Sequence, residues 1–331
     1  MMPMRGPQTM RAWAFEKFGD PLEEIKFRSD VMHPPLAPSQ VRILVRCAGL
    51  NPIDYKLVEF GDKFLPKNPS HNNPVYMGFD VAGTVVEVGE SVSNLSVDDA
   101  VYAMAPFGAT GTFADYVVVD AKHVARKPKN MNFREAAGVP LAAQTSYQAL
   151  VTYGKLKQGD RVLILGGSGG TGTFAIQIAK ALGASFVATT TSARNAELVK
   201  SLGADQVIDY SKEQYGEKLA PRSIDLIFDC SVDALSWNEE AQRVLKPDTG
   251  IFVTIDPFAK LNASSTGTKS HQIMTDSNTE DLDKLRALIE EGKVKTQIDS
   301  TFKLEELPEA IKKQKDGHAR GKIIITVASE E

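Results

Sequence analysis

The sequence predicts an α/β protein of two regions: a mostly β region in residues 1–135, and a doubly wound parallel sheet with helices on both faces in residues 136–268. A tail, 269–331, returns to the first region. Three observations carry this expectation. Ahead of residue 136, β-branched runs follow one another between turn formers without long helical periodicity. Beyond it, short apolar runs alternate with helical segments, the signature of right-handed crossover units. Between the first of those runs and its helix stands a block of glycines.

In the first region the strands are Arg11 to Phe15, Val41 to Val45, Val81 to Val88 and Tyr116 to Val119, bounded by Asp20-Pro21, Ala37-Pro38 and Gly89. A short helix is expected over Asn51 to Phe60. In the second, Arg161 to Leu165 is a nearly continuous apolar run, as in a parallel strand covered on both faces. Ala175, Ile178, Ala179 and Leu182 then recur on one helical face before Gly183 ends the helix. Four more strands follow, Ser185 to Thr189, Gln206 to Ile208, Asp225 to Phe228 and Gly250 to Thr254, with helices at Ala193 to Leu202 and Trp237 to Val244. Lys260 to Ser270 reads as a loose Ser/Thr/Asn/Gly segment. The tail supplies a helix, Asp281 to Glu291, and an apolar strand, Lys322 to Val327, which needs a sheet to join.

Composition narrows the function classes. The 331 residues carry 38 Lys and Arg against 42 Asp and Glu, a net charge of −4, so the basic face of a nucleic-acid binder is not expected. No stretch approaches the roughly 18 apolar residues of a membrane span. Cys47 and Cys230, the only two cysteines, cannot build a disulfide framework or a four-cysteine zinc lobe. Met1 to Met10 lacks the apolar core of a secretory signal and reads as a short leader. A cytoplasmic enzyme is expected, with a mitochondrial location as the alternative.

The loop Gly166-Gly167-Ser168-Gly169-Gly170-Thr171-Gly172 lies between a strand and a helix. Glycines there allow a tight turn and bring the backbone close to a pyrophosphate, which rests on the amides opening the helix. Gly169 is expected at a turn requiring positive φ. A Walker-type loop is excluded, since no Lys-Ser or Lys-Thr pair follows. The competing reading is a flexible turn without a ligand. An NAD site places an acid at the end of the second strand, but here the chain runs Thr189-Thr190-Thr191-Ser192-Ala193-Arg194, with no acid until Glu197. Hydroxyls at Thr190 and Ser192 with the Arg194 guanidinium suit a 2′-phosphate, which favours NADPH over NADH. The same residues also read as an ordinary helix cap with a solvated arginine.

Several motifs in order then carry a resemblance. Asn51-Pro52-Ile53-Asp54-Tyr55-Lys56, Gly78-Phe79-Asp80-Val81-Ala82-Gly83, the glycine loop, Ser201-Leu202-Gly203-Ala204-Asp205 with Ile208-Asp209-Tyr210, and Gly317-His318-Ala319-Arg320-Gly321-Lys322 resemble the zinc-free quinone oxidoreductase branch of the medium-chain dehydrogenase/reductase superfamily. The likeness runs from about residue 11 to 328, nearest to the plant-type quinone and enone reductases. It implies a GroES-like catalytic domain around a Rossmann domain, NADPH as hydride donor and a homodimer. It also implies that Asn51, Tyr55, Lys56 and Thr145 stand near the nicotinamide. The cofactor-binding set it implies further includes Tyr210 at the 2′-phosphate, the Asp229-Cys230 backbone and Lys322.

In the zinc alcohol dehydrogenases of that superfamily a cysteine stands where Asn51 stands, and Gly-His-Glu takes the place of Gly78-Phe79-Asp80. Amide and phenyl groups cannot replace a thiolate and an imidazole on zinc, and the five histidines show no ligand spacing, so no metal is expected. Without a Lewis acid, quinones and conjugated enones are the fitting acceptors, because they take up hydride and delocalise the charge. Tyr55 and Lys56 are then candidate proton donors, or respectively a packed aromatic and a solvated side chain. Where related enoyl-thioester reductases carry a donor tyrosine, this chain has Lys63-Phe64. Cys230 reads as a buried small residue, Cys47 as core, and Lys312-Lys313-Gln314-Lys315 as a solvated helix face. Another activated carbonyl or acyl substrate, or a cofactor-binding protein with a regulatory role, are the alternatives.

Overall fold

A computed structural model describes residues 9–106, 111–233 and 236–329. The expected leader up to residue 8 and the last two residues lie outside them. Contacts divide the chain into two compact units. The first holds the residues up to Leu141, then Ser277–Arg286 and everything from Ile298; the second holds Ala142–Asp276 and Ala287–Gln297. The sequence expectation puts the breaks at 135/136 and 268/269, several residues earlier in each case.

In the first unit, Gln40–Leu50 is the organising strand. It pairs antiparallel with Asp80–Val88, with Tyr116–Asp120 and with Lys322–Thr326, in a seven-stranded sheet that also takes in Ile298–Lys303, Ala100–Met104 and Val124–Arg126. Register is the detail that matters for the site: Gly49 pairs with Asp80, and Leu50 with Ile323. The core beneath is built from alternating inward residues such as Val41, Ile43, Val45, Val81 and Val85, all fully buried. A smaller sheet joins Ile25–Met32, Thr9–Phe15 and Val75–Tyr76. Pro52–Phe60 is a helix with proline in its first turn, where the missing N–H costs nothing.

The second unit carries a six-stranded parallel sheet in the order Gln206–Asp209, Phe186–Thr191, Arg161–Leu165, Leu226–Asp229, Ile251–Thr254, Lys269–Gln272. The sixth strand corrects the expectation of five. Lys269-Ser270-His271-Gln272 ends the sheet order and carries no apolar residue, as an edge strand can. Gly170–Ala181 is the first crossover helix, buried along Phe174, Ala175, Ile176, Ile178 and Ala179. The expected helices at 193–202 and 237–244 open respectively as a 3₁₀ turn, Ala193–Asn195, and a π turn, Trp237–Ala241. Among the described residues no helix is long and apolar enough to cross a membrane.

Candidate functional site

In the second unit the glycine loop is fixed by its own backbone and by the neighbouring strand. Gly166 adopts φ +84°, a conformation that L side chains rarely adopt. Its N–H donates to Thr190 Oγ1 at 3.0 Å, and the Gly167 N–H donates to the Thr190 carbonyl at 3.0 Å. Gly172 is required by close approach: a Cβ there would lie 2.3 Å from the Gly166 carbonyl oxygen and 2.7 Å from Gly167 Cα. Gly169, which caps the helix, corrects an expectation. Its φ is −77°, and a Cβ would meet only the Gly166 carbonyl at 3.6 Å. Its smallness is not required by the protein itself; the space beside it is open, and a helix leaves its first amides without internal acceptors.

The end of the second strand holds the residues expected there, with altered duties. Thr190 is buried and its hydroxyl takes the Gly166 N–H, so it shapes the loop. Ser192 is half-buried and accepts from Asn195 Nδ2 at 3.3 Å. Arg194 is exposed and makes no ion pair among the described residues. Tyr210 is 65% exposed and follows Asp209, which pairs in register with Thr191. An acid therefore does stand nearby, supplied by the adjacent strand. Asp209 accepts from the Ser211 hydroxyl at 2.7 Å, and this bond is the first cause of its lowered pKa, with the Ala193 N–H a lesser one. Thr191 and Asn195, which the sequence reading passed over, both donate to Ser168 Oγ, at 2.8 and 3.0 Å.

At the end of the fourth strand, Asp229 is wholly buried and its carboxylate is spent on the Ser231 N–H and hydroxyl and on Thr254 Oγ1. Burial raises its pKa. Only its backbone is left to face a ligand. Cys230 Sγ donates to the Leu165 carbonyl at 3.0 Å, and burial, then Asp229, push the thiol well up, which removes any thiolate nucleophile. Thr145 Oγ1 lies 2.5 Å from Thr275 Oγ1.

In the first unit the structure brings together Asn51, Asp54, Asp80 and Lys322. The Lys322 ammonium donates to the Leu50 carbonyl at 3.1 Å, to Asp80 Oδ2 at 3.3 Å and to Asn51 Oδ1. Asn51 Nδ2 donates to Asp80 Oδ2 at 2.9 Å, and the Leu141 N–H to Asp80 Oδ1 at 2.7 Å. All four side chains are at most 3% exposed. Lys322, expected in the cofactor-binding set, directs its three protons to acceptors inside the unit. Asn51 likewise has its amide engaged on both sides, Oδ1 accepting from Lys322 and Nδ2 donating to the Gly49 carbonyl and to Asp80 Oδ2. Asp54 accepts from the Asn51 N–H at 2.7 Å, and its other oxygen, Oδ1, is buried without a partner among the described residues. Burial drives its pKa well above the ordinary value, the Asn51 bond opposing. Tyr55 and Lys56 are half-buried on the same helix. Burial and then Glu59 raise the Tyr55 pKa, so its phenol stays protonated; the Lys315 ammonium lies 5.6 Å from its ring centroid. Lys56 makes no ion pair among the described residues.

Comparison with known proteins agrees with this architecture. Residues 37–129 match the alcohol dehydrogenase GroES-like domain, and residues 202–325 match a model described as zinc-binding dehydrogenase. The chain is 37% identical over 330 residues to the 2-methylene-furan-3-one reductase of Solanum lycopersicum, covering 96% of this chain and 79% of the relative. It is 36% identical over 328 residues to the chloroplastic NADPH-dependent alkenal/one oxidoreductase of Arabidopsis thaliana, covering 96% and 80%. The solved quinone oxidoreductase of Coxiella burnetii superposes with a TM-score of 0.85 at 32% identity, over 97% of this chain and all of that one. The zinc in one description does not fit the donors here. Among the described residues no three His, Cys, Asp or Glu side chains converge, and the Lys322 ammonium already sits on Asn51 and Asp80.

Proposed function

The chain belongs to the quinone oxidoreductase-like proteins of the medium-chain dehydrogenase/reductase superfamily, and on that premise we propose that it is an NADPH-dependent reductase of quinones or conjugated enones. The observation that carries this reading is the loop 166–172, whose glycines are demanded by the fold at 166 and 172 and left open at 169. That open face borders the start of a 12-residue helix, where backbone amides favour an anion. In this reading Gly166, Gly169, Gly170, Thr171 and Gly172 take the pyrophosphate. Arg194, Ser192 and Tyr210 take the 2′-phosphate, with the unpaired guanidinium supplying the charge.

When bound, the reduced dinucleotide supplies the hydride that an electron-poor double bond accepts. The protein has then to orient the acceptor and deliver a proton to the developing enolate or hydroquinone oxygen. Tyr55, held protonated, and the uncommitted Lys56 are the proposed donors. The Asn51–Asp80–Lys322 cluster fixes the start of the helix that bears them. Support for a homodimer comes from the strand Lys269–Gln272, which ends the parallel sheet with one edge unpaired among the described residues. A chain with only two cysteines fits a reducing compartment, and the proposed one is the cytoplasm.

The test is consumption of NADPH across a panel of quinones and a panel of conjugated enones, with simple alcohols plus NADP⁺ as control. Turnover with either panel and none with alcohols is expected. Alcohol oxidation abolished by a chelator would contradict the proposal.

A further inference from the structure

The run Lys312-Lys313-Gln314-Lys315, which reads in the sequence as a solvated helix face, is spent largely on ion pairs. Lys313 Nζ lies 2.8 Å from Asp299 Oδ2, and Lys315 Nζ lies 2.6 Å from Glu59 Oε1. Helical spacing explains which lysine turns toward the neighbouring helix. On the helix Leu307–Lys315 the buried residues are Leu307, Ala310 and Ile311, and Lys315 follows Ile311 by four, on the same stripe. That spacing carries its ammonium to the helix Pro52–Phe60.

On that helix Glu59 stands four residues beyond Tyr55, so the two share a face. The ammonium that pairs with Glu59 also stands over the Tyr55 ring, 5.6 Å from its centroid, within reach of a cation–π contact. The side chains of Lys315 and Glu59 are 31% and 21% exposed, so the pair is partly shielded from water. Tyr55 also packs against the core of the first unit. Its hydroxyl makes no hydrogen bond among the described residues. The ring is held, and the phenol is left for a ligand.

We propose that Lys315 and Glu59 are positioning residues for Tyr55: their ion pair anchors an ammonium over the ring, which fixes the ring and stabilises the phenolate that proton transfer leaves. This rests on the reading of Tyr55 as proton donor. With an enone, the acceptor takes the hydride at its β-carbon, the Tyr55 O–H gives its proton to the enolate so formed, and water restores the phenol. The charged groups that act on Tyr55 are Glu59 on its own helix and Lys315 on the facing one; those that act on Lys315 are Glu59, Asp20 and Tyr55. Burial, then Glu59, raise the Tyr55 pKa, and Lys315 lowers it.

The experiment measures enone reduction by NADPH in wild type, Tyr55→Phe, Lys315→Met, Lys315→Arg, Glu59→Gln and the Tyr55→Phe/Lys315→Met double variant. Unfolding curves verify that each variant is folded. Tyr55→Phe should lower kcat about 100-fold, the lower end of what a general acid contributes. Lys315→Met should lower kcat about tenfold, as a misplaced donor does, with the NADPH KM unchanged. Lys315→Arg should recover most of that loss, and Lys315→Met should add nothing once Tyr55 is phenylalanine. The alkaline limb of kcat, where the donor loses its proton, should move to higher pH in Lys315→Met and to lower pH in Glu59→Gln. Limbs that stay in place, or move the same way in both variants, overturn the proposal. A Tyr55→Phe loss together with wild-type kcat in folded Lys315→Met also overturns it, while leaving Tyr55 as the donor. A Lys315→Met loss that persists in full in the double variant overturns the positioning role. Wild-type kcat in folded Tyr55→Phe overturns the donor reading and the proposal together.

Discussion

The Lys322 ammonium lies 3.3 Å from the Asp80 carboxylate in a place almost closed to water, with Lys322 3% and Asp80 0% exposed. Register creates the pair. Asp80 stands opposite Gly49, and Ile323 opposite Leu50, so Lys322 and Asp80 flank the same end of the strand Gln40–Leu50. Gly49 makes room, since a Cβ there would lie 2.9 Å from Asp80 Oδ2 and 2.4 Å from the Ala137 carbonyl oxygen. Lys322→Met removes one charge and leaves the other buried, a change that costs about 3–5 kcal/mol. Urea unfolding should register that loss, and Asp80→Asn in the same background should recover part of it. A loss no larger than that of an exposed ion pair would contradict the buried pairing.

Asp54 predicts a pH dependence of stability. Burial holds its carboxyl well above the ordinary value, so above about pH 4 the native state keeps a proton that the unfolded chain releases. Where the native state binds more protons, stability falls as pH rises. The Asp54 contribution is therefore full below the ordinary carboxylate pKa and is lost as pH climbs through the raised one. Asp54→Asn lacks this loss while retaining an acceptor for the Asn51 N–H. Its stability relative to wild type should rise from about pH 4 upward; a difference that is flat or falling with pH would count against a protonated Asp54.

Gly172 and Gly169 should separate folding from binding. Gly172→Ala drives a methyl to 2.3 Å from the Gly166 carbonyl, an overpacking that typically costs about 1–3 kcal/mol. Gly169→Val meets no such obstacle at its Cβ and no positive φ. It should leave thermal unfolding of the cofactor-free protein nearly unchanged while lowering NADPH affinity at least about tenfold. Undiminished affinity in the folded Gly169→Val protein would remove the pyrophosphate from this loop.

Arg194 decides between cofactors. Replacing it with alanine should weaken NADPH by about 10- to 150-fold, the worth of a charged hydrogen bond, and barely change NADH. Glutamate there should enlarge the contrast. Equal losses with both cofactors would mean that the guanidinium does not meet a 2′-phosphate.

Much of the second unit is legible in the sequence because its pattern is local. Arg161 to Leu165, the glycine block and the Gly170–Ala181 helix are contiguous, and each displays its period within a few residues. Lys269–Gln272 escaped because an edge strand has no need of apolar residues. The Asn51–Asp80–Lys322 cluster escaped for a different reason. Its members are 29 and 242 residues apart in order, and only strand register joins them. The one local signal was a charge, Asp80, opening a mostly apolar strand. Asp209 shows the same limit: reading along the second strand finds no acid, while the neighbouring strand delivers one beside Thr191.

The most direct test of the central claim follows the hydride itself. NADPH deuterated at the transferring position of the nicotinamide is incubated with the enzyme and a conjugated enone in ordinary water, and the product is analysed by mass spectrometry and NMR. Hydride transfer with proton delivery from Tyr55 or Lys56 predicts one deuterium, bound to the β-carbon, and a solvent-derived hydrogen at the α-carbon. A reduced product without deuterium, or a carbonyl reduced to an alcohol with the double bond intact, would contradict the account.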